Sequence, residues 1–306
     1  MSVTLRPYTR AADFDAISAF LTRHYQPDNR DGNWFQPIWE YAYTHPWFDE
    51  AALGRIGIWE DEGEVVVVAT YESRLGEVFF HTHPHYAYLK PQMLAYAEER
   101  LAAEQADGAR LLKAYVNDFD APFERVMQER GYWLEPDFHR PLSQFVIPSP
   151  FPPIPLSAGF RLQSLADEND LRKVHRVLHR GFNHPGEPPE EGLEGRRRMQ
   201  SGPHFRRDLT IVVVAPSGDY VAFCGMWLDA VNRFGYVEPV ATDPAYRRRG
   251  LGSAAVLEGI RRCGAEGATV AYVGSEQPFY RSLGFRRLYT QRCWMRDFPP
   301  DACGSY

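Results

Sequence analysis

Cysteine is scarce: Cys224, Cys263, Cys293 and Cys303 are the four in 306 residues, with no close pairing and no metal-ligand spacing. That excludes a disulfide framework and points to a reducing compartment. Long apolar runs are missing too, and none approaches the ~20 residues of a membrane-spanning helix. The opening Met1-Ser2-Val3-Thr4-Leu5-Arg6-Pro7 lacks the basic start and apolar core of a signal peptide. A cytoplasmic protein without membrane association is expected. Excess positive charge is absent as well. A net charge of -6 and a pI near 5.9 argue against a nucleic-acid partner. What remains is a globular composition, 44% hydrophobic and 24% charged, on a chain long enough for two domains.

Proline punctuates the middle. Pro148-Ser149-Pro150-Phe151-Pro152-Pro153-Ile154-Pro155 holds five prolines in eight residues and cannot continue a helix or a central strand. It predicts a stiff linker over 148–157 between domains at 1–147 and 158–306. The two sides repeat at an offset of about 160 residues. His81-Thr82-His83-Pro84-His85-Tyr86 aligns with Ala241-Thr242-Asp243-Pro244-Ala245-Tyr246 on a shared Thr-x-Pro-x-Tyr. Each half reads β-α-β-β-β-α-β-α-β, a mixed sheet flanked by helices in the α/β class. The segments 29–53 and 183–208 fit no element of this order.

The second copy carries chemistry. A strand through Tyr236-Val237-Glu238-Pro239-Val240 runs into Arg247-Arg248-Arg249-Gly250-Leu251-Gly252-Ser253 and then a helix. That helix has a small apolar face at Gly252, Ala255, Val256, Gly259, Ile260 and Cys263, suited to packing on a sheet. Two glycines admit close approach, the helix start presents unpaired N–H groups, and three arginines precede it: a ready anion site. Pro239 has no N–H for a neighbouring strand, so a bulge or broken pairing is expected there.

Arg247-Arg248-Arg249-Gly250-Leu251-Gly252 matches the Gln/Arg-x-x-Gly-x-Gly/Ala signature of the GNAT N-acetyltransferase superfamily. Phe279-Tyr280-Arg281-Ser282-Leu283-Gly284-Phe285 resembles that family's closing helix and strand. The resemblance implies two tandem GNAT-like domains, an arrangement similar to that of mycothiol synthase. It also implies a donor, acetyl-CoA, and no metal. By match, Val240, Ala241 and Thr242 would bond the pantetheine through backbone, and Arg247, Arg248, Arg249, Gly250, Leu251, Gly252 and Ser253 would hold the pyrophosphate. Glu238 would be the general base and Tyr280 the general acid toward the thiolate. Plainer readings stand beside these: a surface glutamate, and an aromatic anchor for the helix. The family's CoA-binding asparagine has no counterpart in Gly274-Ser275-Glu276-Gln277-Pro278.

The first half has Ala87-Tyr88-Leu89-Lys90-Pro91-Gln92 at the signature position, Val78 opposite Glu238 and Met127 opposite Tyr280. It reads as a kept fold with a lost cofactor site. His81, His83 and His85 alternate without a carboxylate or cysteine to complete a metal set, and no metal is expected. His175 and His179 read as surface or pocket-lining residues. The aromatic run from Trp34 to Phe48 reads as a satellite core over the first sheet, or as an acceptor-pocket wall or inter-domain seam. The leading function is acetyl transfer to an amine of a small molecule or peptide. A non-catalytic acyl-CoA sensor and a scaffold are the alternatives. A monomer is expected over a homodimer.

Overall fold

The computed structural model describes residues 3–9 and 11–300; Cys303 lies outside them, as do Met1 and Ser2. The first half forms β1 (Thr4–Pro7), α1 (Asp13–His24), α2 (Gln36–Thr44), β2 (Gly57–Asp61), β3 (Glu64–Thr70), β4 (Glu77–Thr82), α3 (Lys90–Arg100), β5 (Ala103–Glu104), β6 (Arg110–Asn117), α4 (Ala121–Glu129) and β7 (Trp133–Val146). The second forms β8 (Arg161–Ser164), α5 (Leu171–Gly181), α6 (Gly192–Met199), β9 (Ile211–Val214), β10 (Tyr220–Asp229), β11 (Phe234–Thr242), α7 (Leu251–Ala265), β12 (Val270–Val273), α8 (Pro278–Leu283) and β13 (Arg286–Phe298). The expected order holds in both halves, with one added helix in each and a two-residue strand, β5, added in the first.

The added helices, α2 and α6, fall in the two unplaced segments. Aromatics crowd α2 so closely that no single stripe stands out, although Pro37 suits a first helical turn. In α6, two glycines and three consecutive arginines leave Leu193 and Met199 as the buried anchors. That is too sparse for a 3.6-residue period to show.

The chain divides into two compact units, Met1–Tyr43 with Trp47–Pro141 and Tyr289–Tyr306, and Thr44–Pro46 with Leu142–Leu288. In the first, the strands run β1-β2-β3-β4-β6 and then β13, whose Gln291–Phe298 pair antiparallel with residues 110–117 of β6. In the second they run β8-β9-β10-β11-β12, and the end of β7, Ser143–Val146, pairs antiparallel with β12. Each unit thus completes its sheet with a strand from the other half of the sequence. The proline-rich 148–157 carries no helix or strand. It lies within the second unit, where Phe151 and Leu156 pack on the core.

The central strands β3, β9 and β10 are buried on both faces, because helices or other segments cover each side of the sheet. In the first unit Trp34, Trp39 and Phe48 join Ile58, Val67 and Phe79 in one core, so these aromatics belong to the main core rather than to the satellite expected of them. In the second, α7 packs Leu251, Ala255, Val256 and Ile260 on one face of the sheet. On the other face α5 packs Val174, Val177 and Leu178. Asp170 caps α5 by accepting the backbone N–H bonds of Arg172 and Lys173. No helix among the described residues is long and apolar enough to cross a membrane.

Candidate active site

β11 and β12 are parallel, but their pairing covers just Phe234–Tyr236 against Val270–Tyr272. β12 then ends at Val273, while β11 runs on to Thr242. Backbone groups on that side of β11 therefore have no strand to bond, and a cleft of about 850 Å³ opens beside them. It is lined by Glu238, Val240, Ala241, Thr242, Arg247, Arg248, Gly250, Leu251, Gly252, Ser253 and Tyr280. Of the predicted site residues Arg249 alone is not in its lining; its guanidinium lies 5.4 Å from the Tyr246 ring centroid.

A bulge sets the direction of Glu238. Cys224 pairs with Val240 and Met226 with Val237, so Gly225 on β10 faces two residues of β11, Glu238 and Pro239. A Cβ on Gly225 would lie 2.2 Å from the Glu238 carbonyl oxygen. The indole N–H of Trp227 donates to that same oxygen at 3.0 Å. The extra residue reverses the phase of the strand. Val237 and Ala241 are four apart and would share a face in a regular strand, yet Val237 packs on the α7 side and Ala241 on the α5 side. The bulge expected at Pro239 is present, and the Glu238–Pro239 peptide bond is cis.

The loop after β11 is shaped for an anion. Arg248 and Gly250 both have left-handed backbone, φ 63° and 75°, with one residue between them. Alternation of this kind turns successive N–H groups into one concavity, continued here by the start of α7. A Cβ on Gly252 would sit 2.7 Å from Thr242 Oγ1, so helix start and strand end touch with no room for a side chain. Arg247 lines the cleft and bonds acceptors of the protein itself. Its Nε donates to the Thr242 carbonyl at 3.2 Å, and one terminal nitrogen donates to the Gly181 carbonyl at 2.8 Å and to Asn183 Oδ1 at 2.9 Å.

Tyr280 stands on α8 with its ring against Phe279 and Phe285, at centroid distances of 4.9 and 5.7 Å. Burial raises its phenol above the ordinary value, and the nearby Glu238 and Cys224 add to the rise. It is therefore protonated at neutral pH. Gly181, Phe182 and Asn183, and Gly274, Ser275 and Gln277, also line the cleft. The first trio spans the end of α5, and only Asn183 of it falls in the unplaced segment 183–208; the second is the loop whose expected asparagine is missing.

The first unit repeats the wedge and fills it. β4 and β6 pair in parallel at Glu77–Phe79 against Lys113–Tyr115, and β4 continues to Thr82. The His83 N–H bonds Val66 of β3 at 2.9 Å, so the N–H of Thr82 points the other way, into the wedge. Asn33 meets it there. Its Oδ1 accepts from Thr82 N–H at 2.8 Å, and its Nδ2 donates to the Thr82 carbonyl at 3.1 Å. From β6, Asn117 Nδ2 donates to the Gly32 carbonyl at 3.1 Å. One side-chain amide thus takes both backbone bonds of the residue aligned with Thr242. Lys90, at the lost signature, pairs with Asp120 at the start of α4. Val78 and Met127 are fully buried.

The histidines disperse. His81 is buried, accepts the Trp34 N–H at 3.3 Å through Nδ1, and is pushed by burial down to about 3. His83 and His85 sit at the turn, where His83 Nδ1 accepts the His85 N–H. His175 is buried and His179 half-buried; neither lines the cleft. Among the described residues no group of three or more His, Cys, Asp or Glu is arranged to hold a metal ion.

Residues 171–285 match the family described as the Acetyltransferase (GNAT) family. Solved structures with this fold span nearly the whole chain. A GCN5-related N-acetyltransferase from Sphaerobacter thermophilus is 17% identical, covers 98% of this chain and 97% of its own, and has a TM-score of 0.64. A tandem GNAT protein from the clavulanic acid biosynthesis pathway is 11% identical, covers 98% and 100%, and also scores 0.64. N-myristoyltransferase of Saccharomyces cerevisiae, solved with myristoyl-CoA, is 11% identical, covers 96% and 78%, and scores 0.57. No curated protein matches the chain in sequence. The fold is a tandem GNAT fold.

Proposed function

We propose that the second unit transfers the acetyl group of acetyl-CoA to an amine of a small molecule or peptide, and that the first unit binds no acyl-CoA. One observation carries this reading: a single cleft brings together a strand unpaired along one edge, a concave loop of backbone N–H groups, a carboxylate at a bulge and a half-buried tyrosine. The backbone of Val240, Ala241 and Thr242 would hold the pantetheine as a strand holds its neighbour. The loop from Arg248 to Ser253 would hold the pyrophosphate. Bound there, the donor supplies an activated thioester carbonyl.

The residues then divide the proton work. Glu238 accepts a proton from the acceptor amine, directly or through water, as the new C–N bond forms. Tyr280, kept protonated by burial, donates its proton to the sulfur as the C–S bond breaks. Asn33 supports the inactive role of the first unit, since it holds the backbone that pantetheine would need.

Release of CoA from acetyl-CoA in the presence of an amine panel tests the reading. Turnover with at least one amine is expected. Tight binding without turnover on any amine would point to an acyl-CoA sensor, and no binding at all would overturn both.

A further inference from the structure

Arg247 stands at the first position of the phosphate-loop motif, yet its guanidinium reaches back to the end of α5. Three acceptors take its bonds: the Thr242 carbonyl at the end of β11, the Gly181 carbonyl and Asn183 Oδ1. The contact surface beneath is tight. A Cβ on Gly181 would lie 2.6 Å from the Ala241 Cβ and 3.1 Å from the Thr242 nitrogen. Arg180, one residue earlier, grips Asp243 through Nε at 2.5 Å and a terminal nitrogen at 3.3 Å. Asn183 has left-handed backbone, φ 61°, which turns the chain away from the helix at the cleft wall. Phe182, between the two residues that Arg247 holds, is 48% exposed and lines that cleft.

We infer that Arg247 is a positioning residue that couples occupation of the phosphate loop to the wall formed by Gly181, Phe182 and Asn183. The inference rests on the acetyl-CoA reading of the cleft. The physical link is short. Arg248 and Gly250 hold the loop in left-handed conformations, an anion in that concavity fixes the backbone next to Arg247, and the planar guanidinium passes this order to α5 through bonds that cannot swivel independently. The α5 wall, which faces the same space as Glu238, is ordered when the donor is bound. Arg247 then works through residues 181–183 and makes no essential contact with phosphate.

A double-mutant cycle in the full chain tests this, with the acetyl-CoA Kd read by calorimetry. Arg247→Gln is expected to weaken binding about 10-fold and Asn183→Ala about 3-fold, and the double variant should match Arg247→Gln alone. Factors that multiply, to about 30-fold, would show that Arg247 acts independently of Asn183, as a phosphate ligand does, and would overturn the inference. Hydrogen exchange supplies a local readout. Saturating acetyl-CoA should protect the amides of residues 181–184 in the wild type but not in Arg247→Gln; equal protection in both would also overturn it. Asn183→Ala lies on the surface and keeps the cycle informative should Arg247→Gln lose stability, because Asn183→Ala alone must then reduce the protection. Failure of the wild type to bind acetyl-CoA would remove the underlying reading before any variant is compared.

Discussion

The Trp227 indole N–H donates a 3.0 Å hydrogen bond to the carbonyl oxygen of Glu238, across the bulge between β10 and β11. Trp227 is buried, and its bond satisfies a carbonyl that the bulge has removed from the ladder. The relationship therefore orients the backbone that carries the proposed base.

Trp227→Phe keeps an aromatic ring but removes the donor. The unpaired carbonyl should lower stability by about 1–3 kcal/mol. Turnover should fall while the acetyl-CoA Kd stays within about 2-fold, because the donor contacts lie beyond the bulge. Thermal melts, calorimetry and initial rates on one preparation check this. A shift in Kd as large as the loss in kcat would show that the whole strand has moved.

Glu238→Gln should lower kcat by about 10²–10⁴, the usual worth of a positioned base, and abolish the acidic limb of the pH–rate profile. Acetyl-CoA affinity should hold. Full activity would exclude Glu238 as base and direct attention to the cleft-lining residues of 181–183 or 274–277.

Tyr280→Phe retains the packing against Phe279 and Phe285 and removes the hydroxyl. The loss should appear in kcat with little change in Tm, and it should shrink where product release limits the rate. An anchor role alone predicts unchanged kcat.

Calorimetry should give one acetyl-CoA site per chain. Gly252→Val should abolish it, since a Cβ there meets Thr242 Oγ1 at 2.7 Å. Asn33→Ala should not create a second site, because Lys90 with Asp120, and the missing glycines, still deny the first unit a phosphate loop. Two sites of similar affinity in the wild type would contradict the role given to Asn33.

Asp31 sits in the segment that fills the first wedge, where its carboxylate accepts the N–H groups of Gln26 at 3.0 Å and Asn33 at 3.3 Å. Burial raises its carboxyl from 3.8 to about 6, against the opposing pull of those bonds. Between these values the folded protein holds a proton that the unfolded chain releases, so stability falls as pH rises through the window. Asp31→Asn removes that dependence. The wild-type advantage over the variant should therefore decline from about pH 4 to about pH 6 and then level, as measured by denaturant titration.

Much of this protein was legible in local signals. The Thr-x-Pro-x-Tyr repeat and the strand-to-helix signature at Arg247–Gly252 depend on neighbours in sequence, and both show in the element order; the prolines at 148–155 excluded helix and strand, but the segment read as a linker falls inside the second unit. Pro239 announced a bulge because a missing N–H is a property of one residue. The helices α2 and α6 were not legible, since crowded aromatics in one and paired glycines in the other hide the period.

Residue types and order by themselves determined the repeated α/β design, the loop suited to phosphate and the loss of that loop in the first half. Tertiary structure decided which strand completes each sheet, because pairing of β13 with β6 and of β7 with β12 joins residues more than 120 apart, and no local propensity records a distant neighbour. It also decided that Asn33 fills the first wedge and that Arg247 turns from the loop to α5. Both are polar groups whose partners, Thr82 and Gly181, are backbone atoms of another element. Backbone is the same at every position, so a sequence cannot say which of its amides a side chain will find.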